Sequence, residues 1–161
     1  MGLFKGLFGK KEIILGSPVC GRCVSLSEVG DPTFREGYMG EGVAFLPKDG
    51  KVFAPVDGTV TTAFPTGHAV AITTADGIEV LIHIGMDTVK LKGDGFRLKV
   101  ETGQKVKKGD LLVEADLKEI AAAGYDLVTP MVVCNSSDFA RVEGKPDKEV
   151  AVGDDVIAIE K

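Results

Sequence analysis

His68-Ala69-Val70-Ala71-Ile72-Thr73-Thr74, then Ala75-Asp76-Gly77, then Ile78-Glu79-Val80-Leu81-Ile82-His83, reads as two strands rich in β-branched residues joined by an Asp-Gly turn. Both histidines of the chain lie in this stretch. With Asp76-Gly77 as a two-residue turn, Val70 faces His83, and His68 lies one diagonal step away on the same sheet face. Diagonal neighbours are about 7–8 Å apart, a gap that two imidazoles bridge. Alternation then puts Val70, Ile72 and Leu81 on the histidine face and Ala69, Ala71, Val80, Ile82 and Ile84 on the other. A three-residue loop would reverse that parity and send the rings to opposite faces.

A single histidine in a strand is ordinarily a tolerated or hydrogen-bonded side chain. Two on one face are another matter, because nothing in core packing requires the only two imidazoles of the chain to meet. Both faces of the hairpin are apolar. One is expected to be core, while the other sets two titratable nitrogens into a greasy surface of the kind that marks a docking site.

Further out, short β-rich runs alternate with glycine and proline punctuation: Ile13 to Leu15, Val43 to Leu46, Val52 to Ala54, Thr59 to Phe64, Leu111 to Glu114, Met131 to Asn135 and Val156 to Glu160. This spacing predicts an all-β antiparallel sandwich or barrel. Two short helices interrupt it. Asp31-Pro32 is a cap followed by a first-position proline, opening a turn through Phe34 to Glu36. Asp116-Leu-Lys-Glu119 has the form of a capping box before Ile120 to Ala123, with Gly124 as the stop. Ser17-Pro-Val-Cys-Gly21 echoes Ala54-Pro-Val-Asp-Gly58, each opening a β run. Together with Gly103-Gln-Lys-Val-Lys-Lys-Gly-Asp110, the echo resembles the duplicated barrel-sandwich architecture of biotinyl and lipoyl carriers and of lysostaphin-type zinc peptidases.

The 161 residues are expected to form one domain over residues 12–161, preceded by a tail over residues 1–11. In that tail Leu3, Phe4, Leu7 and Phe8 recur at helical spacing beside Lys5, Lys10 and Lys11, which suits either an amphipathic helix in peripheral contact with an anionic membrane or a disordered extension. The tail also suggests a free-standing protein. A net charge of -5, a pI near 5.1 and the absence of a basic stripe exclude nucleic acid as the expected partner. With no secretory signal and no apolar run of membrane-spanning length, a cytoplasmic location is expected. Cys20, Cys23 and Cys134 are an odd number, so a disulfide framework is not expected. Cys20-Gly21-Arg22-Cys23 has metal-ligand spacing but lacks a second pair, and ordinary thiols are the simpler reading.

The residues discriminate among chemistries. A carrier needs an exposed hairpin lysine, and no lysine here has that setting. A lysostaphin-type site needs more histidines than two. Phosphoryl transfer through the imidazole fits better: a neutral ring nitrogen is nucleophilic near pH 7, and a second imidazole can donate a hydrogen bond to the phosphoryl oxygens. An apolar collar suits a partner that seals the site against water.

Pro55-Val-Asp-Gly58, Phe64-Pro-Thr-Gly-His-Ala69, Ile82-His-Ile-Gly-Met-Asp-Thr-Val89, Leu91-Lys-Gly-Asp-Gly-Phe96 and Val128-Thr-Pro130 resemble, in order and spacing, the glucose-specific enzyme IIA family of the bacterial sugar phosphotransferase system. The resemblance runs from about Ile14 to the C-terminus. It implies an antiparallel β-sandwich whose His83 takes phosphate on Nε2 from the histidine-containing phosphocarrier protein and hands it to a cysteine of a sugar-specific IIB domain. It makes His68 the auxiliary histidine and Thr66 the residue that orients it. It also implies a docking ring of Phe34, Tyr38, Met39, Phe64, Leu81 and Val89, to which the hairpin reading adds Val70, and rim carboxylates Asp31 and Asp87. For Asp31 helix capping is an equally good account. The chemistry requires no cofactor. A regulatory role toward other transporters or metabolic enzymes is the second expectation, in which His68 and His83 share a zinc with a partner's carboxylate.

Overall fold

A computed structural model describes residues 12–161, so the reading of residues 1–11 lies outside the described residues. Among these residues the runs form fourteen strands. They are β1 (Glu12–Gly16), β2 (Gly21–Ser25), β3 (Glu41–Pro47), β4 (Lys51–Phe53), β5 (Gly58–Ala63), β6 (Ala69–Thr73), β7 (Glu79–His83), β8 (Phe96–Leu98), β9 (Lys105–Val106), β10 (Leu111–Ala115), β11 (Thr129–Val133), β12 (Arg141–Gly144), β13 (Lys148–Val150) and β14 (Asp155–Glu160). Two short helices, α1 (Pro32–Arg35) and α2 (Leu117–Ala122), complete the regular α structure. No helix among the described residues is long and apolar enough to cross a membrane.

All strand pairs are antiparallel. They build an eight-stranded sheet in the order β13-β2-β3-β11-β7-β6-β5-β9 and two three-stranded sheets, β1-β14-β12 and β4-β10-β8. The all-β sandwich is therefore as expected. Its main core lies where one face of the large sheet (Phe45, Ile72, Ile82, Met131) meets the inner faces of the two smaller ones (Leu112, Ile157, Ile159). Fully burying one such side chain stabilises the fold by about 1.5–3 kcal/mol.

The central strands bury their other face as well. Alternation sends Val43 and Phe45 of β3, Val80 and Ile82 of β7, and Met131 and Val133 of β11 into the main core. Ala44, Leu81 and Val132 point the opposite way, into a second cluster closed by Val24, Val29, Phe34, Ala69, Met86 and Val128. That second cluster lies beneath the face of the sheet that carries His83.

The hairpin itself differs from the sequence reading. Ala69, not Val70, pairs with His83, and Val70 pairs with Ile82. The loop is three residues long: Thr74 N–H donates to the Ile78 oxygen at 3.0 Å, and Ile78 N–H donates to Thr74 Oγ1 at 3.1 Å. A type I′ turn would need positive φ at both Asp76 and Gly77, but only Gly77 adopts it, at φ 84°. One left-handed residue closing the turn belongs to the three-residue hairpin. The faces are corrected accordingly: Val70 and Ile72 join Val80, Ile82 and Ile84 in the main core, while Ala69 and Ala71 lie with Leu81 on the histidine side.

Asp31 caps α1 by accepting from Thr33 N–H at 2.9 Å, with Pro32 in the first turn. Asp116 caps α2 through Glu119 N–H at 3.1 Å, and Gly124 ends it at φ 94°. The reciprocal half of the expected capping box gives way to a tertiary bond, because Asp116 N–H donates to the Gly95 oxygen at 2.7 Å. The two echoing segments lie against each other: Phe53 N–H donates to the Pro18 oxygen at 2.8 Å and Gly16 N–H to the Pro55 oxygen at 2.9 Å. Each leads into a strand, β2 and β5, as duplicated halves would.

The sequence reading leaves out β8, β9, β12 and β13, gives β2 only as the run that Ser17–Gly21 opens, and places β11 two residues late. In β2 the cysteine spacing has a packing explanation. Cys23 is fully buried in the main core, where burial pushes its thiol up to about 11, while Cys20 is half-buried and Cys134 exposed.

Candidate functional site

His83 is the last residue of β7, and the chain turns immediately beyond it. Gly85 adopts φ 74°, which aims its carbonyl back at the imidazole. The His83 Nδ1 and the Gly85 oxygen stand 2.7 Å apart. A carbonyl can only accept, so Nδ1 carries the proton and Nε2 of the neutral ring keeps its lone pair.

His68 reaches the same place by a route that the parity argument excludes. Its main-chain oxygen accepts from Ile84 N–H at 2.7 Å, so it pairs with a residue whose side chain enters the main core. A regular strand would carry the His68 ring to that same side. But His68 lies in a bend before β6, after Gly67 at φ 74°, and the bend is closed by Gly67 N–H donating to the Phe64 oxygen at 2.7 Å. Leaving the pleat there turns the ring across to His83. The two rings meet edge to face with centroids 5.1 Å apart.

Thr66 lies in the same turn, its Oγ1 2.5 Å from His68 Nδ1. Phe64 packs edge-on against His68 at 5.4 Å between centroids, and Phe34 packs against His83 at 5.3 Å. His68 is only 5% exposed, whereas His83 is half-buried and reachable. Burial pushes the His68 imidazole down to about 4, and the adjoining His83 ring adds to the effect. Burial also lowers His83; the Gly85 carbonyl and the charges of Asp31 and Asp87 oppose this without reversing it. Both imidazoles are therefore neutral near pH 7.

The remaining candidates divide by position. Phe34 and Leu81 are buried in the second cluster against the histidine side, with Met39 half-buried beside them. Tyr38 (80% exposed), Phe64 and Val89 present apolar side chains to solvent. Asp31 and Asp87 flank a cleft of about 420 Å³ completed by Gly30, Pro32, Met86 and Asp126. Asp31 serves as cap and as nearby charge at once. Asp87 makes no capping bond and sits in the left-handed region at φ 60°. Val70 is the exception: 2% exposed in the main core, it lines no surface, because the true register turns it inward.

Sequence reasoning missed Gly85, Met86 and Thr88. Two of them act through main-chain atoms or loop packing, which leave no residue-type signature; the glycine two residues after His83, a residue type suited to positive φ, was the one usable hint. As metal ligands the two imidazoles fall short of the four of a closed zinc site, and among the described residues no third His, Cys, Asp or Glu joins them.

Residues 13–139 match the family described as phosphoenolpyruvate-dependent sugar phosphotransferase system, EIIA 1. A PTS system beta-glucoside-specific EIIBCA component of Halalkalibacterium halodurans is 46% identical over 94% of this chain. The chain spans only 21% to 24% of the length of such multi-component relatives. A PTS system glucose-specific EIIA component of the same organism is 41% identical over 94% of both chains. The solved glucose permease IIA from Mycoplasma capricolum superposes with a TM-score of 0.86 at 38% identity, over 94% of this chain and 97% of that one. A chain that shares this sandwich over nearly its whole length, and the sequence match over most of it, belongs to the EIIA 1 family of the phosphoenolpyruvate-dependent sugar phosphotransferase system.

Proposed function

We propose that the chain is a cytoplasmic phosphocarrier for uptake of a glucose-class sugar, accepting a phosphoryl group on His83 Nε2 from the histidine-containing phosphocarrier protein and passing it to the cysteine of a IIB domain. The observation that carries this reading is the bond from His83 Nδ1–H to the Gly85 oxygen, which leaves Nε2 as the free nucleophile of a neutral ring. In the first step the Nε2–P bond forms and the donor's N–P bond breaks, its electron pair returning to the donor imidazole. In the second, a cysteine thiolate forms the S–P bond and Nε2 takes back its pair. No cofactor enters either step.

His68 assists as a neutral donor. With the Thr66 hydroxyl donating to Nδ1, the His68 proton resides on Nε2, where it can bond a phosphoryl oxygen. Asp31 and Asp87 draw a basic partner into register. Once the phosphoryl group is in place they also repel it, which favours passing it on. The outward ring of Tyr38, Phe64 and Val89 gives the partner an apolar surface to seal against. The EIIBCA relatives, whose names join IIA with IIB in one protein, support a IIB acceptor.

Incubation with phosphoenolpyruvate, enzyme I and the phosphocarrier protein, followed by mapping of the acid-labile phosphate, tests the assignment. Label on His83 is expected; label on any other residue overturns it.

A further inference from the structure

The bond that fixes the His83 tautomer depends on the position of the Gly85 peptide, and one buried side chain controls it. Thr88 is fully buried. Its Oγ1–H donates to the Ile84 oxygen at 2.6 Å, tying down the peptide that precedes Gly85. Its methyl lies over Gly85, where a Cβ would come within 2.7 Å of Thr88 Cγ2 and 2.9 Å of the Asp126 oxygen. Met86 N–H donates to that same Asp126 oxygen at 3.0 Å. Gly85 is thus held between the Thr88 side chain and the main chain of Asp126. Ile84 in turn donates its N–H to the His68 main-chain oxygen, so one residue links this hydroxyl to the main chain of both histidines.

Ordinary packing does not account for a threonine here. Valine would fill the same volume at this dry position without burying a polar group, and a hydroxyl that finds no partner is destabilising. Nor is the bond a routine helical back-bond, because the single 3-10 turn covers Thr88–Leu91 and Ile84 lies outside it.

We propose that Thr88 is a positioning residue for the phosphoacceptor: its hydroxyl holds the Ile84–Gly85 peptides so that the Gly85 carbonyl enforces the Nδ1–H tautomer of His83. The proposal rests on the phosphocarrier reading above, but the tautomer can be measured without any transfer reaction.

Ring ¹H–¹⁵N spectra of uniformly labelled wild type, Thr88→Val and Thr88→Ser, read beside the rate of His83 phosphorylation, test it. Thr88→Val is expected to shift His83 toward the Nε2–H tautomer and slow phosphorylation by roughly tenfold, the order seen when the partner orienting a metal-binding histidine is lost. Thr88→Ser, which keeps the hydroxyl, is expected to retain the tautomer and a rate within about twofold. If Thr88→Val does not fold, Thr88→Ala replaces it with the same expectation. A Val or Ala variant with unchanged tautomer and rate overturns the proposal, even if its melting temperature falls, and so does loss of the tautomer in Thr88→Ser. Failure of wild type to be labelled on His83 would remove the phosphocarrier reading instead, while the tautomer comparison would still decide the role of Thr88.

Discussion

The imidazole of His68 meets that of His83 edge to face, 5.1 Å between centroids, although the main chain of His68 is paired with Ile84, a residue facing the opposite side of the sheet. The pairing of rings is therefore made by a bend and not by the strand. Gly67 at φ 74° and the Phe64–Gly67 bond release His68 from the pleat. The arrangement gives the two rings different surroundings, and their expected roles differ in consequence.

His68→Gln is expected to accept phosphate but to pass it on poorly. Glutamine keeps a donor near the phosphoryl oxygens yet loses the ring set by Thr66, so acceptance should stay within a few-fold. Transfer to a IIB domain should fall by roughly 10²-fold, the usual scale when a positioned hydrogen-bond donor to the reacting oxygens is lost. Single-turnover transfer from the phosphorylated variant checks this; normal transfer would remove the auxiliary role.

Protein stability should depend on pH through His68. Its folded-state pKa of about 4 lies below the ordinary 6.5, so between those values the unfolded chain binds a proton that the folded chain refuses. Stability is complete above about pH 6.5, declines as the pH falls toward 4, and levels off below, for a contribution of about 3 kcal/mol. The lowered pKa of His83 acts in the same direction. Urea denaturation of wild type and His68→Gln across this range should show a shallower acid loss in the variant; parallel curves would contradict the assignment.

Asp31→Asn separates the two functions of that side chain. Asparagine caps a helix about as well as aspartate, so stability should change by less than about 0.5 kcal/mol. The charge is gone, so association with the phosphocarrier protein should slow several-fold at low salt, and the difference should vanish near 1 M salt. Stopped-flow association rates against ionic strength are the measurement, and an effect indifferent to salt would count against steering.

Val70 and Val89 should behave oppositely. Val70→Ala removes two methyl groups from the main core and is expected to cost about 1–2.5 kcal/mol while leaving transfer kinetics near wild type. Val89 is 49% exposed, so Val89→Ala should leave stability within about 0.5 kcal/mol and weaken partner binding. Denaturation midpoints and KM for the phosphocarrier protein, measured on both variants, distinguish a core valine from a docking one.

Much of this was legible in residue order. The β-branched runs, the proline-led α1, the Asp116 cap and the Gly124 stop rest on local chemistry and form where that chemistry predicts, apart from the two-residue offset of β11. The short strands β8, β9, β12 and β13 carry weak patterns, and pairing with stronger neighbours makes them strands. The capping box failed at one bond because Gly95 offered Asp116 N–H an acceptor that no local reading could foresee.

Residue order alone was enough to specify a β-sandwich and to set both imidazoles on one hairpin stretch, since period-two patterning and residue type are local properties. Tertiary structure alone decided which residues share the histidine face, because one extra loop residue shifts the register and moves Val70 into the core. It also decided which nitrogen of His83 keeps its lone pair. That choice depends on where a main-chain oxygen, the one on Gly85, comes to rest, and every residue carries such an oxygen.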